Sequence, residues 1–386
     1  MPGKRYKHMI QVILFAALNI LLLYMVSVPV PAAETDRLGT AQQPDFREIE
    51  QALDQIRSDY ELDFGQVFQD VLSGKEALNI NLILGKSLKI LTLEVVENRF
   101  GITSVILLSV LSAVLSNITA VFHNRQIAQV GFYMMALVIA VLLLQTMKTT
   151  VEIASETINQ LVLFMEVLLP AYFMGVAFIS GSAAASAFYG TALLAVFFVE
   201  GLLAAVVLPM IQIYIMLIIV NHIAGDGILD QLLKLLKSVI QYILKTVIAV
   251  VIGLNTIQGM FAPVMHSVKT SMLTGAVSML PGMSGVTEAT WNSVVGSVVL
   301  IKNAVGVTAV CMILLIMIVP VIKLTVIMFM YRLAAAFAGG LSAGSTAECI
   351  SGMGDGTGML LKTVVTSIVL FMITIAIVAV STNGGY

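Results

Sequence analysis

The stretch AVFFVEGLLAAVVLP, residues 195–209, places one carboxylate, Glu200, inside an otherwise apolar run. Glu200 lies within the apolar segment 184–208, long enough to cross a bilayer as a helix, where an acid is the exception to be explained. Composition agrees. Of 386 residues, 59% are hydrophobic and 11% are charged, against about 25% charged in soluble domains, and mean hydropathy is +1.00. So much apolar surface does not fit inside a water-soluble core. The chain reads as all-α, a polytopic transmembrane helical bundle.

Charge divides the chain. Positions 1–100 hold 23 charged residues and the other 286 positions hold 19, so the front is aqueous and the remainder is membrane. Residues 1–33 read as a signal peptide: the basic KRYKH, the apolar MIQVILFAALNILLLYMV, then VPVPAA, which either is cleaved near Ala32 or Ala33 or leaves an uncleaved anchor. Either way residue 34 onward emerges outside the cytoplasm. Residues 34–100 form a small extracytoplasmic helical region. In it Phe46, Ile49, Leu53, Ile56 and Tyr60 recur at helical spacing after Pro44, and Asp63 suits the N-cap of a second helix carrying Phe64, Val67, Phe68 and Val71. This region is too small to bury a large core alone and is expected to lean on the membrane domain or a partner. Residues 78–100, interrupted by Lys86, Lys89 and Glu94, read as an amphipathic surface helix.

Residues 101–386 form the membrane domain, with about eight spans near 101–122, 127–147, 161–181, 184–208, 209–225, 239–261, 304–330 and 359–381. The fourth and fifth are separated only at Pro209. The polar 148–160 reads as an extracytoplasmic helical extension, and 262–303 as a long extracytoplasmic loop with a helical or re-entrant part around Trp291. Arg125, Lys234, Lys237, Arg332 and Lys362 then fall on the cytoplasmic side, and Lys148, Lys269 and Lys302 outside. In DGILDQLLKLLKSVIQYILK (226–245), Asp226 can cap a helix whose Lys234, Lys237, Gln241 and Lys245 oppose Leu229, Leu232, Leu233 and Leu236. This basic face suits an anionic leaflet, or is an ordinary snorkelling helix end.

An ionised side chain at mid-membrane costs about 2.5–3.5 kcal/mol on insertion scales. Glu166 and Glu200 are therefore expected to point into the bundle, as lumen or helix-pairing residues, with Lys323 as a cationic candidate. Asn221 and His222, near a span end, suit a cap or interface role. Small residues gather at 180–190 (SGSAAASAFYG) and 338–358 (AGGLSAGSTAECISGMGDGTG), where they allow close helix packing, a broken helix or a flexible cytoplasmic loop. GMGDGTGMLLKT (352–363) lacks the GxxxxGK[ST] spacing of a phosphate loop. The four histidines (His8, His123, His222, His266) are scattered, and Cys311 and Cys349 lack metal-site spacing. Catalytic residues, a metal and other cofactors are not expected, nor is a nucleic-acid partner at net charge -2. A non-enzymatic membrane subunit is the first reading; a stand-alone secondary transporter or permease, with a midplane site between broken helices, is the alternative.

Four stretches carry a resemblance: NITAVFHNRQIAQVGFYMMAL (117–137), LPAYFMGVAFISGSAAASAFYG (169–190), GLNTIQGMFAPVMHSVKTSML (253–273) and WNSVVGSVVLIKNAVGVTAV (291–310). The chain resembles the stage III sporulation protein AE family of endospore-forming bacteria. The resemblance implies a multi-pass subunit in the mother-cell membrane facing the forespore. Its partners would be other proteins of the stage III sporulation complex and a forespore membrane protein. Together they would build a channel-like apparatus that supports forespore development and late gene expression. These stretches carry no catalytic motif, so the resemblance implies no active residues.

Overall fold

The computed structural model describes residues 46–56, 63–73, scattered positions between 89 and 110, 125–180, 190, 194–224, 228–277, 284–340 and 344–381. Side chains within 125–129, 132, 174–180, 254–299, 344–345 and 377–381 fall outside the description. The signal segment 1–33, most of the span expected at 101–122 and most of 180–190 also lie outside the described residues.

Two short helices lead. Helix α1 (Arg47–Gln55) buries Ile49, Ala52 and Leu53, and α2 (Phe64–Leu72) buries Phe64, Phe68 and Val71. The Asp63 carboxylate accepts from the Gln66 backbone N–H at 2.8 Å, satisfying one of the orphan donors of the first turn. Phe46 joins the pair, its ring 4.9 Å from both Phe64 and Phe68. Helix α1 then packs on α3 (Arg125–Ser180), and α2 on α6 (Ser284–Gly340). The front region leans on the long helices, as its size requires.

The remaining elements are long. Helix α4 (Leu194–Ala224) follows α3, then come α5 (Asp230–Val277), α6 and α7 (Gly344–Ser381). Each of these five contains a stretch long and apolar enough to cross a membrane, and the chain is a multi-pass membrane protein. Helix α7 is the hub. It touches α3, α4, α5 and α6, and its apolar window is the most buried of the five.

Several expected breaks do not occur. The apolar segments 127–147 and 161–181 belong to one 56-residue helix, with the polar 148–160 as its middle. Lys148 and Glu152 form an exposed i,i+4 pair at 3.7 Å there, and Thr150 and Thr157 donate to the carbonyls of Thr146 and Ile153 on their own helix. A polar stretch in helical register changes solvent preference without stopping the helix. Pro209 does not end α4 either. A π turn at Leu203–Val207 precedes it, in the turn whose carbonyl a proline at 209 leaves without its N–H donor, so the wider turn absorbs the defect. Likewise, 262–303 is not a loop but the end of α5 and the start of α6, apart from 278–283, which lie outside the described residues. The basic segment beginning at Asp230 does not lie apart as a surface helix; it is the start of α5, packed on α4 and α7. Asp226, its expected cap, lies outside the described residues.

Helices α3 and α6 run antiparallel. Thr146 meets Tyr331 in a side-chain hydrogen bond, while Tyr172 packs against Gly306. The two contacts are separated by roughly 39 Å of helix at about 1.5 Å per residue. Between them the buried apolar side chains form one continuous core.

Candidate functional site

The site begins with four glycines at alternate positions in α7: Gly352, Gly354, Gly356 and Gly358. In a helix, residues four apart share a face and residues two apart lie on nearly opposite faces. GMGDGTG therefore offers two bare strips. Gly352 and Gly356 face α4: a methyl group on Gly352 would sit 2.8 Å from Ile218 Cδ1, and one on Gly356 2.5 Å from Ile215 Cγ1. Gly354 and Gly358 face α6, where a methyl group would lie 3.4 Å from Tyr331 Cβ and 3.2 Å from Met328 Sδ. Four glycines cost a helix about 1 kcal/mol each relative to alanine. The close approach of α4 and α6 on either side offsets that cost by packing. Met353 and Thr357, between the strips on one side, are buried in the core.

Asp355 projects from the other gap between the strips. Its carboxylate pairs with Lys237 of α5 through one oxygen, and with Arg332 Nη2 of α6 at 3.7 Å through the other. One aspartate thus ties three helices. All three side chains keep about a third of their surface exposed (37%, 36% and 31% for Lys237, Arg332 and Asp355), so each pair is partly hydrated and worth about 1 kcal/mol in water. Tyr214 of α4 and Lys362 of α7 lie within electrostatic reach of the same carboxylate.

A neighbouring clip fixes the α4–α5 turn. Asn221 donates to Asp230 Oδ1 at 2.8 Å and accepts from the Leu229 N–H at 3.0 Å. That is the cap role expected of Asn221; His222 beside it is buried.

The two acids singled out from the residues lie on neighbouring helices. Glu166 on α3 and Glu200 on α4 lie close enough for their charges to interact. Glu166 is exposed, however, and Glu200 is half-buried. They share the outer α3–α4 edge of this subunit, not its centre. Lys323 is half-buried on α6, and no ion pair among the described residues joins it to either acid. Of the expected basic face, Lys237 reaches Asp355 while Lys234 and Lys245 remain exposed. Lys302, expected in an external loop, is 1% exposed within α6. Tyr172 is also buried there, against Gly306, and its hydroxyl finds no hydrogen-bond partner among the described residues. No group of three His, Cys, Asp or Glu among the described residues could hold a metal.

Sequence reading missed the Asp355 node. The small residues at 338–358 were read as allowing close helix packing, a broken helix or a flexible loop, and Asp355 was not singled out. The signal was present in the four-residue spacing of Gly352 with Gly356 and of Gly354 with Gly358, which marks two packing strips on one helix.

Comparison with known proteins adds the lineage. The family model described as stage III sporulation protein AE matches residues 62–382. A curated relative, stage III sporulation protein AE of Bacillus subtilis (strain 168), is 25% identical over 261 residues, which is 67% of this chain and 65% of the relative. The chain thus matches just under two thirds of that relative's length. No solved structure matches it. With the family match running from the second short helix through the last residue of α7, the chain belongs to the stage III sporulation protein AE family.

Proposed function

We propose that this chain is a membrane subunit of the sporulation complex that forms a channel-like apparatus between mother cell and forespore, needed for forespore development and late gene expression. The observation that carries this reading is the family match across 62–382. Five membrane-capable helices and a small helical front docked on two of them are compatible with it. The protein sits in the mother-cell membrane, and its partners are the other proteins of the stage III complex and a forespore membrane protein. It works by assembly rather than by catalysis.

The geometry adds a constraint on how it would do so. Among the described residues, apolar side chains fill the space between α3, α6 and α7, which favours a conduit between subunits over one within a single subunit. Exposed Glu166 and half-buried Glu200 would then face the conduit or a neighbouring subunit.

The test is genetic. The chromosomal gene is deleted, or replaced by Glu200→Gln or Glu200→Leu, and heat-resistant spores and a late forespore reporter are counted. Deletion is expected to stop both; Glu200→Leu is expected to lower both at least tenfold, with Glu200→Gln milder. Normal sporulation of the deletion strain refutes the proposed function. Normal sporulation of both Glu200 variants refutes the role given to Glu200. Solute movement by the purified chain alone in liposomes would favour a self-sufficient transporter.

A further inference from the structure

Asp355 is outnumbered. Lys237 and Arg332 both reach it, and Lys362 lies within direct electrostatic range of Lys237, Arg332, Lys245 and Asp355. Lys237, Arg332 and Lys362 therefore share one carboxylate, and Lys245 lies within reach of Lys362. The next acid on α7, Glu348, is two helical turns before Asp355 and makes no ion pair among the described residues. Like charges held together by rigid helices repel unless an anion joins them. Lys245 and Lys362 are exposed, so their ammonium groups are open to one.

The surroundings narrow the choice of anion. Tyr242, three residues before Lys245 on α5, and Phe329, three residues before Arg332 on α6, lie on the same helix faces as those cations and are exposed, Tyr242 by 72%. Exposed apolar side chains beside lysines and a tyrosine describe a bilayer interface, where acyl chains lie along the helices and phosphates lie at the ammonium groups. A free anion would match the charge but leave the apolar flanks unused.

We infer that Lys237, Arg332 and Lys362, gathered around Asp355, form with Lys245 a binding site for the phosphate of one anionic phospholipid headgroup. Asp355 orients Lys237 and Arg332, and Lys245 and Lys362 supply the open contacts. The lipid would then bridge α5 and α7 on the outside, as Asp355 bridges α5, α6 and α7 within.

The experiment is native mass spectrometry of the purified full chain in detergent, titrated separately with phosphatidylglycerol and phosphatidylcholine, with and without millimolar inorganic phosphate. The variant is Lys245→Gln with Lys362→Gln, which leaves both Asp355 pairs intact. Wild type is expected to retain phosphatidylglycerol in preference to phosphatidylcholine, with no displacement by inorganic phosphate. The double variant is expected to bind phosphatidylglycerol about 30-fold more weakly, the loss for two charges at a membrane surface. Equal retention of the two lipids, or undiminished phosphatidylglycerol binding by a folded double variant, overturns the site. Displacement by inorganic phosphate assigns it to a free anion and overturns the lipid reading. If the variant does not fold, the wild-type lipid preference and the phosphate competition decide.

Discussion

Replacing Gly356 by alanine tests the seam at the centre of the molecule. The added methyl group would lie 2.5 Å from Ile215 Cγ1 and 2.8 Å from Ile215 Cδ1, about 1 Å inside ordinary carbon–carbon contact. Cγ1 is next to the branch of a β-branched side chain on a helix, so it cannot swing aside freely. Overpacking of this kind costs about 1–3 kcal/mol. Alanine returns about 1 kcal/mol of helix propensity, for a net loss of about 1 kcal/mol. Gly131, with nothing within 4 Å of its added methyl group, is the control: Gly131→Ala should be neutral or gain up to about 1 kcal/mol. Truncating the neighbour completes a cycle. In an Ile215→Ala background the clash disappears, so Gly356→Ala should become neutral or stabilising, a coupling of about 1–3 kcal/mol. The protein carries its own reporters, since Cys311 and Cys349 are free and buried. A thiol-reactive fluorophore followed along a thermal ramp in detergent reads the opening of the bundle. Additivity of the two substitutions within about 0.5 kcal/mol would refute the close approach of α4 and α7.

Two further substitutions probe other parts of the fold by the same and by local readouts. Asp355→Asn should lower stability by about 1–3 kcal/mol, because it leaves Lys237 and Arg332 together without their carboxylate; Lys237→Met added to it should recover part of the loss in the thiol-labelling ramp, and no recovery would show that the pair does not couple α5 to α7. Asp63→Ala should remove about 0.5–2 kcal/mol from α2, seen as faster amide exchange over 64–72 while the thiol-labelling midpoint stays put; unchanged exchange would show that the cap contributes nothing.

Membrane character, helix content and the two short front helices were legible in the residues. Apolar runs of membrane length report solvent, and the spacing of Ile49 with Leu53, and of Phe64 with Phe68, reports a face. Continuity was not legible. Hydropathy registers where a helix changes surroundings, as at 148–160, but a helix ends only where its hydrogen bonding fails, and threonines 150 and 157 bond within the helix there. Pro209 carried an ambiguous message, because a single widened turn accommodates it. At the candidate site, Glu166 and Glu200 were singled out as acids expected to point into the bundle, but their outward placement follows from which neighbours α3 and α4 have, and no local pattern encodes that. Asp355 was hidden for the same reason: its partners lie far away in the chain, at 237 and 332.

The length of α3 has a mechanical consequence. At 56 residues it measures roughly 84 Å at about 1.5 Å per residue, against about 30 Å of hydrocarbon. Braced by α6 along roughly 39 Å, its shaft carries no proline from Arg125 until Pro170, and the front helix α1 rests against it. A load applied at that contact would tilt the shaft as one piece as far as Pro170, where the missing backbone N–H leaves the last turns free to bend separately.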